Sequence, residues 1–219
     1  MTAMTTLTRL QALAVGVAVS STLLAGACGA AKAPVTAAPA APTSPQATAT
    51  GGGGLTEDQR ERMTLVPQAK LQWDKAADTA VGTVPASRLV DIELTTAGAA
   101  PGSSPATAMP VWDVTVAAAD GTVHDVHVDA VNGKVTRSRV EPGQDAEDKS
   151  EVAEQLKAVT TTAQQAVKTA TDRKAGTVTA VELDDDVWSV DVVTPDWNKT
   201  TYDIDAAKGT VVREHVDRD

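Results

Sequence analysis

Three histidines, one cysteine and a run of aspartates are the residues of this 219-residue chain with the chemistry to hold a metal or act as a nucleophile. His124 and His127 stand three apart in a segment that alternates like a strand. That spacing turns them to opposite faces and denies them a shared metal unless the strand is bulged. A metallopeptidase helix needs two histidines four apart with a glutamate between them, and His124, His127 and His215 form no such pattern. A G-x-S-x-G nucleophile turn is also absent. Asp184, Asp185 and Asp186 with Glu182 offer oxygens to Ca²⁺, but the spacing is not that of an EF-hand loop. A solvated hairpin between two strands is the better account. These residues point away from catalysis, and no cofactor or metal is expected.

The position of Cys28 explains it. Met1 to Ala27 holds one charge, Arg9, then an apolar run from Leu10 through Leu24, then Ala25, Gly26 and Ala27. That is the pattern of a signal peptide, residues 1–27. The run is interrupted by Gln11, Ser20, Ser21 and Thr22 and falls short of the about 20 residues a comfortable span needs, so a single-pass anchor is the runner-up. The stretch Leu24-Ala25-Gly26-Ala27-Cys28 resembles a bacterial lipobox, although leucine is commoner than Ala25 at its position. Cys28 is therefore the expected lipidation site, with a free or buried thiol as the alternative. The expected location is the extracytoplasmic face of the cell membrane, held there by lipid. Residues 28–54 follow as a linker of Ala, Pro, Thr, Ser and Gly whose only charge is Lys32, a composition that cannot bury a core.

The formal net charge is −10, and removal of Arg9 with the leader makes the mature chain more acidic still. Nucleic acid is excluded as a partner, because phosphate binding needs clustered basic residues and here Lys and Arg are scattered among more numerous acids. The same excess repels anionic lipid heads, so membrane attachment would rest on the lipid.

Behind these residues stands an internal repeat. Trp112-Asp113-Val114-Thr115-Val116 matches Trp188-Ser189-Val190-Asp191-Val192, 76 residues on, and the register continues through Asp129-Ala130 with Asp205-Ala206 and Gly133 with Gly209. Upstream, Ile92-Glu93-Leu94 matches Val181-Glu182-Leu183 at a longer offset, which makes Thr96 to Pro110 an inserted loop. Each copy reads as helix followed by four strands. Val152, Leu156, Val159, Ala163, Ala166, Val167 and Ala170 make one apolar helical stripe in the second copy, with Asp148 and Glu151 at its start. Trp73, Ala76, Ala77, Ala80, Val81 and Val84 make a weaker one in the first, with Pro67 as a helix opener. Thr56 and Gln59 fit the cap of a shorter helix before it. Period-two strands alternate apolar and polar residues, so one sheet face is buried under helix. Val135 and Val140 differ by an odd number and cannot share a face in a regular strand, so the phase of the fourth strand is open and a bulge or a frayed end is needed. The fold class is α+β: two tandem helix-plus-four-stranded antiparallel modules, residues 55–141 and 142–219, packed together.

Helix, aromatic-x-Val-x-Val strand, Asp120-Gly121 turn, and the run Val128-Asp129-Ala130-Val131-Asn132-Gly133, seen again in Ile204-Asp205-Ala206-Ala207-Lys208-Gly209, resemble a PepSY domain. The resemblance implies a non-catalytic, envelope-located binding lipoprotein that engages a protein of the cell envelope, with restraint of a peptidase as its expected role. A propeptide role is disfavoured, because no catalytic domain follows Asp219. A structural or sensory envelope module without a peptidase link is the alternative. The tandem pair also resembles β-lactamase inhibitor proteins in architecture alone, which hold an enzyme on an exposed sheet surface. Strand parity then nominates a contact surface: Asp91, Glu93, Asp113, Asp125, Asp191 and Asp203 face away from the helices. Trp112 and Trp188 are expected in the core, as is Trp73. Trp197, on a turn, is a candidate exposed contact.

Overall fold

The computed structural model describes residues 54–97 and 109–217. The expected signal peptide, Cys28, nearly all of the expected linker and most of the expected insertion lie outside the described residues. The chain runs α1 (Glu57–Leu65), a 3₁₀ turn (Val66–Gln68), α2 (Trp73–Thr83), β1 (Ser87–Ala97), β2 (Met109–Ala118), β3 (Val123–Asp129) and β4 (Val135–Val140). It then repeats as α3 (Ala146–Ala158), α4 (Ala163–Arg173), β5 (Thr177–Asp184), β6 (Val187–Val193), β7 (Lys199–Asp205) and β8 (Val211–Asp217). All eight strands form one antiparallel sheet in the order β4-β3-β2-β1-β5-β6-β7-β8.

The repeat holds at the level of individual pairs. Val111 to Ala117 pair with Asp129 to Val123 on β2 and β3, and Val187 to Val193 pair with Asp205 to Lys199 on β6 and β7, the same register throughout. The fourth strands carry the required bulge, between His127 and Val128 in one half and between Asp203 and Ile204 in the other. At the centre β1 and β5 meet in three rungs, and Ile92 pairs with Val181, its own counterpart in the repeat. That pair marks a pseudo-twofold axis, the geometry of an isologous joint within one chain.

Each half has two helices: α1 is the shorter helix expected in the first, with Thr56 and Gln59 as its capping box, while the second has two where one was expected. The stripe expected to run unbroken from Val152 to Ala170 is divided at Val159–Thr162, where Thr162 caps α4 through the N–H of Gln165 at 3.2 Å. Three consecutive threonines favour that break, since their hydroxyls compete for backbone groups and suit caps better than helix interiors. Asp145 rather than Asp148 caps α3, while Asp148 returns a bond to the Asp145 N–H at 3.0 Å to complete a capping box. Pro67 opens the 3₁₀ turn, and α2 starts only at Trp73.

α2 and α4 cover one face of the sheet through Ala76, Ala77 and Ala80 and through Ala166, Val167 and Ala170. Small residues there let the helices lie close to Ile92, Val114, Val126, Val181, Val190 and Ile204, all fully buried. Trp112 and Trp188 are each 2% exposed. Their indole N–H groups donate to the carbonyls of Leu71 and Thr161, both at 2.9 Å, so the core aromatics also fix the entry to each helix.

The Asp-Ala-x-x-Gly run makes the same entry from the other side. The Asp129 carboxylate accepts the N–H groups of Val131 and Asn132 at 2.8 and 3.1 Å, and Gly133 takes φ 75° to close the turn. The Ala130 carbonyl accepts both Lys70 and Leu71 N–H at 2.8 Å. Asp205, Ala206 and Gly209 repeat this, with Thr160 and Thr161 as the donors to Ala206.

The remaining helices cross over. α3, which introduces the second half, lies on the β2–β3 turn of the first, where a Cβ at Gly121 would collide with the Lys149 carbonyl. α1 reciprocates: Gln59 donates to the Asn198 side chain at 2.8 Å, and Arg62 reaches the Trp197 carbonyl at 2.8 Å and Asp217 at 3.4 Å. Each half thus depends on a helix contributed by the other.

Candidate functional site

Parity delivers the expected acids to the face away from α2 and α4. Two cross-sheet rungs can be read from the register. One runs Arg137, His127, Asp113, Glu93, Ala180, Asp191, Thr201, His215. Its neighbour runs Arg139, Asp125, Thr115, Asp91, Glu182, Ser189, Asp203, Arg213. Eight strands at the usual spacing make the face about 34 Å wide. His124 pairs with Val116 on the helix side of β3 while His127 pairs with Asp113 on the open side. Among the described residues, no three of His, Cys, Asp or Glu converge as metal ligands would.

The six nominated carboxylates do not play one role. At the flanks Asp125 accepts from Arg139 Nε and Nη2 at 3.0 and 2.9 Å. Asp203 accepts from Arg213 and, at 2.9 Å, from the Ser189 hydroxyl. Asp191 is held by Lys199 at 3.2 Å and by the Thr201 hydroxyl at 2.6 Å, and Asp113 lies 3.5 Å from His127 Nε2. At the middle Glu93 stands opposite Asp113, and Asp91 stands opposite Glu182. Like charges directly opposite one another oppose pairing, and the carboxyl of Glu93 shows it. Partial burial, then Asp191, Asp113 and Glu182, push its pKa above the ordinary value against the pull of Lys199. The face is therefore acidic along its midline and edged by Arg137, Arg139 and Arg213. Glu182 was not among the nominated residues, yet the match of Val181-Glu182-Leu183 to Ile92-Glu93-Leu94 carries the signal for it.

Trp197 belongs elsewhere. It sits on the β6–β7 turn with φ 65°, half-buried rather than fully exposed, and lines a concavity on the helix side together with Trp73. Trp73 is thus a wall of that concavity, packed against the core from its edge and only partly buried. The acidic face and Trp197 are two separate surfaces. Among the described residues no helix is long and apolar enough to cross a membrane.

Residues 161–215, from the approach to α4 into β8, match the family model of the peptidase propeptide and YPEB domain, PepSY. The matched segment takes in α4 and β5 to β7 with most of β8, and the strand register it contains is repeated in the first half. A crystal structure of a candidate lipoprotein from Clostridium difficile 630 is 22% identical, covers 68% of this chain and 94% of its own, and superposes with a TM-score of 0.42. A likeness that distant carries no role across. No curated protein matches significantly.

Proposed function

We propose that the chain is a non-catalytic binding lipoprotein of the cell envelope that grips a protein partner on the open face of its sheet, and that this partner is a peptidase it restrains. In this reading residues 1–27 are removed, Cys28 carries lipid, residues 28–54 are the tether, and 55–141 and 142–219 are the paired modules. One observation carries the proposal: a segment matching PepSY is built into a sheet whose face away from α2 and α4 is acidic at its midline. A basic protein surface is its complement. Charge of this kind mainly speeds and selects the encounter.

The test uses photo-crosslinking side chains placed singly at Ser189 and Thr201 on the open face and at Lys168 on the exposed side of α4, in native membranes. The open-face positions should trap one partner that Lys168 does not. Asp113→Lys with Asp191→Lys should weaken that complex, salt should weaken the wild-type one, and the purified partner should cleave casein more slowly when bound. Equal trapping from Lys168 refutes the surface. A partner without peptidase activity refutes the restraint while leaving the surface standing. Loss of the lipid-modified N-terminus by mass spectrometry in Cys28→Ser, with the modification present in the wild type, checks the anchor.

A further inference from the structure

Internal duplication supplies a control inside the molecule: where the halves differ at related positions, the repeat alone does not account for the residue. Three such differences meet at one place. α2 opens on Trp73 where α4 opens on Ala163. The β6–β7 turn places Trp197 where the β2–β3 turn places Gly121, both at positive φ. Thr177, opposite Val193 on β5, stands where β1 has Arg88 opposite Ala117. In the first half Arg88 donates to the carbonyls of Leu156 and Val159, tying the end of α3 to the sheet. Trp73, Trp197 and Thr177 all line one cavity of about 750 Å³ between the start of α2 and α4, with Trp112 and Leu94 also in its wall.

The cavity has a steric cause. α3 lies flush on Gly121, with no room there even for a Cβ. At the related point Trp197 carries a whole indole, so α1 cannot close down in the same way, and no arginine ties its end. A tryptophan at φ 65° is in a conformation that side chains with a Cβ rarely adopt. It is held there by its N–H on the Thr194 carbonyl and by Arg62 Nε on its own carbonyl, both at 2.8 Å.

The wall also carries charge. Asp74, in the first turn of α2, lines the cavity; its Oδ1 is buried without a hydrogen-bond partner, while its Oδ2 lies 3.6 Å from the exposed Lys75 Nζ. Lys70, the cation in the lining, has its ammonium on the Pro67 carbonyl at 2.8 Å. Two indoles beside an unmet carboxylate oxygen complement a cation on an apolar stem. We propose that this cavity binds a lysine or arginine side chain presented by an extended segment of a partner protein. Its stem lies against Trp73 and Trp197, and its charged head meets Asp74. A volume of about 750 Å³ suits such an occupant. The proposal is independent of the open sheet face.

The experiment titrates the full, ¹⁵N-labelled chain with acetyl-Ala-Ala-Lys-Ala-Ala-amide and with the same peptide carrying norleucine or glutamate in place of lysine. The indole N–H resonances of Trp73 and Trp197 report binding, and buried Trp188 is the internal reference. The lysine peptide should shift both reporters saturably, and the norleucine peptide should bind about tenfold more weakly. Asp74→Asn should bring lysine down to the norleucine level, and Thr177→Arg, which installs the other half's residue, should block both. Absence of shifts up to about 10 mM peptide, equal binding of lysine and norleucine, or undiminished binding in folded Thr177→Arg each overturns the proposal.

Discussion

Ile92 and Val181 face each other on the pseudo-twofold axis, both fully buried, in a joint of three rungs. Ile92→Ala removes three carbon groups at about 0.8 kcal/mol each. The cavity left at a packed centre raises the total to about 3–4 kcal/mol. If the crossed helices make the two halves one cooperative unit, that loss belongs to both. Urea unfolding followed through the indole resonances of Trp112 and Trp188 should give one common midpoint, lowered equally at both probes. The melting temperature should fall by roughly 6–15 °C. A wild-type midpoint at Trp188 with a lowered one at Trp112 would refute the reasoning, because the second half would then stand without the first.

Trp188→Phe should cost about 2–3 kcal/mol, since it orphans the buried Thr161 carbonyl. Trp112→Phe should cost less, because its partner Leu71 borders the cavity and water can reach it; denaturation of the two variants checks the order. Gly121→Ala should cost more than about 3 kcal/mol, combining a positive φ with collision against Lys149, and the same denaturation reads it. Glu93 makes stability depend on pH. Its raised pKa means the folded state holds the proton more tightly, so stability rises as pH falls from the raised folded value toward the ordinary 4.5. Asp120, Asp129, Asp196 and Asp205 are held below their ordinary 3.8, chiefly by bonds from the Thr122 and Val131 N–H groups, the Thr194 hydroxyl and Lys208, so their contribution is lost as pH falls below that value. Stability should peak between these windows, and Glu93→Gln should flatten the rise while leaving the acid loss, as measured by unfolding across pH.

Strand parity was readable in the sequence because period two is strict: once Ile92, Val114 and Val190 face the helices, Asp91, Asp113 and Asp191 face away. The odd spacing of Val135 and Val140 announced the bulge for the same reason. Helix ends were harder. The apolar stripe continues in phase across Val159–Thr162, and the break is decided by hydrogen bonds from Thr160 and Thr161 to Ala206, a partner some 45 residues away. Trp73 shares the stripe of α2, and nothing local distinguishes a core position from a cavity wall. The pairing of Asp125 and Asp203 with arginines depends on the registers of β4 and β8, which the bulges set. Glu182 was available from the repeat, and comparing the halves residue by residue, rather than only matching them, exposes Arg88 against Thr177.

The reciprocal crossing of α1 and α3 has a consequence for the order of assembly. Arg62, in the first of the described helices, closes onto Trp197 and Asp217, 135 and 155 residues later. A chain made from its N-terminus cannot seat that helix until the last strand has arrived. Such contacts make folding slow, and they keep the incomplete sheet open while synthesis is still under way. Whatever meets the nascent chain therefore meets it first as a half-built sheet with an unplaced helix.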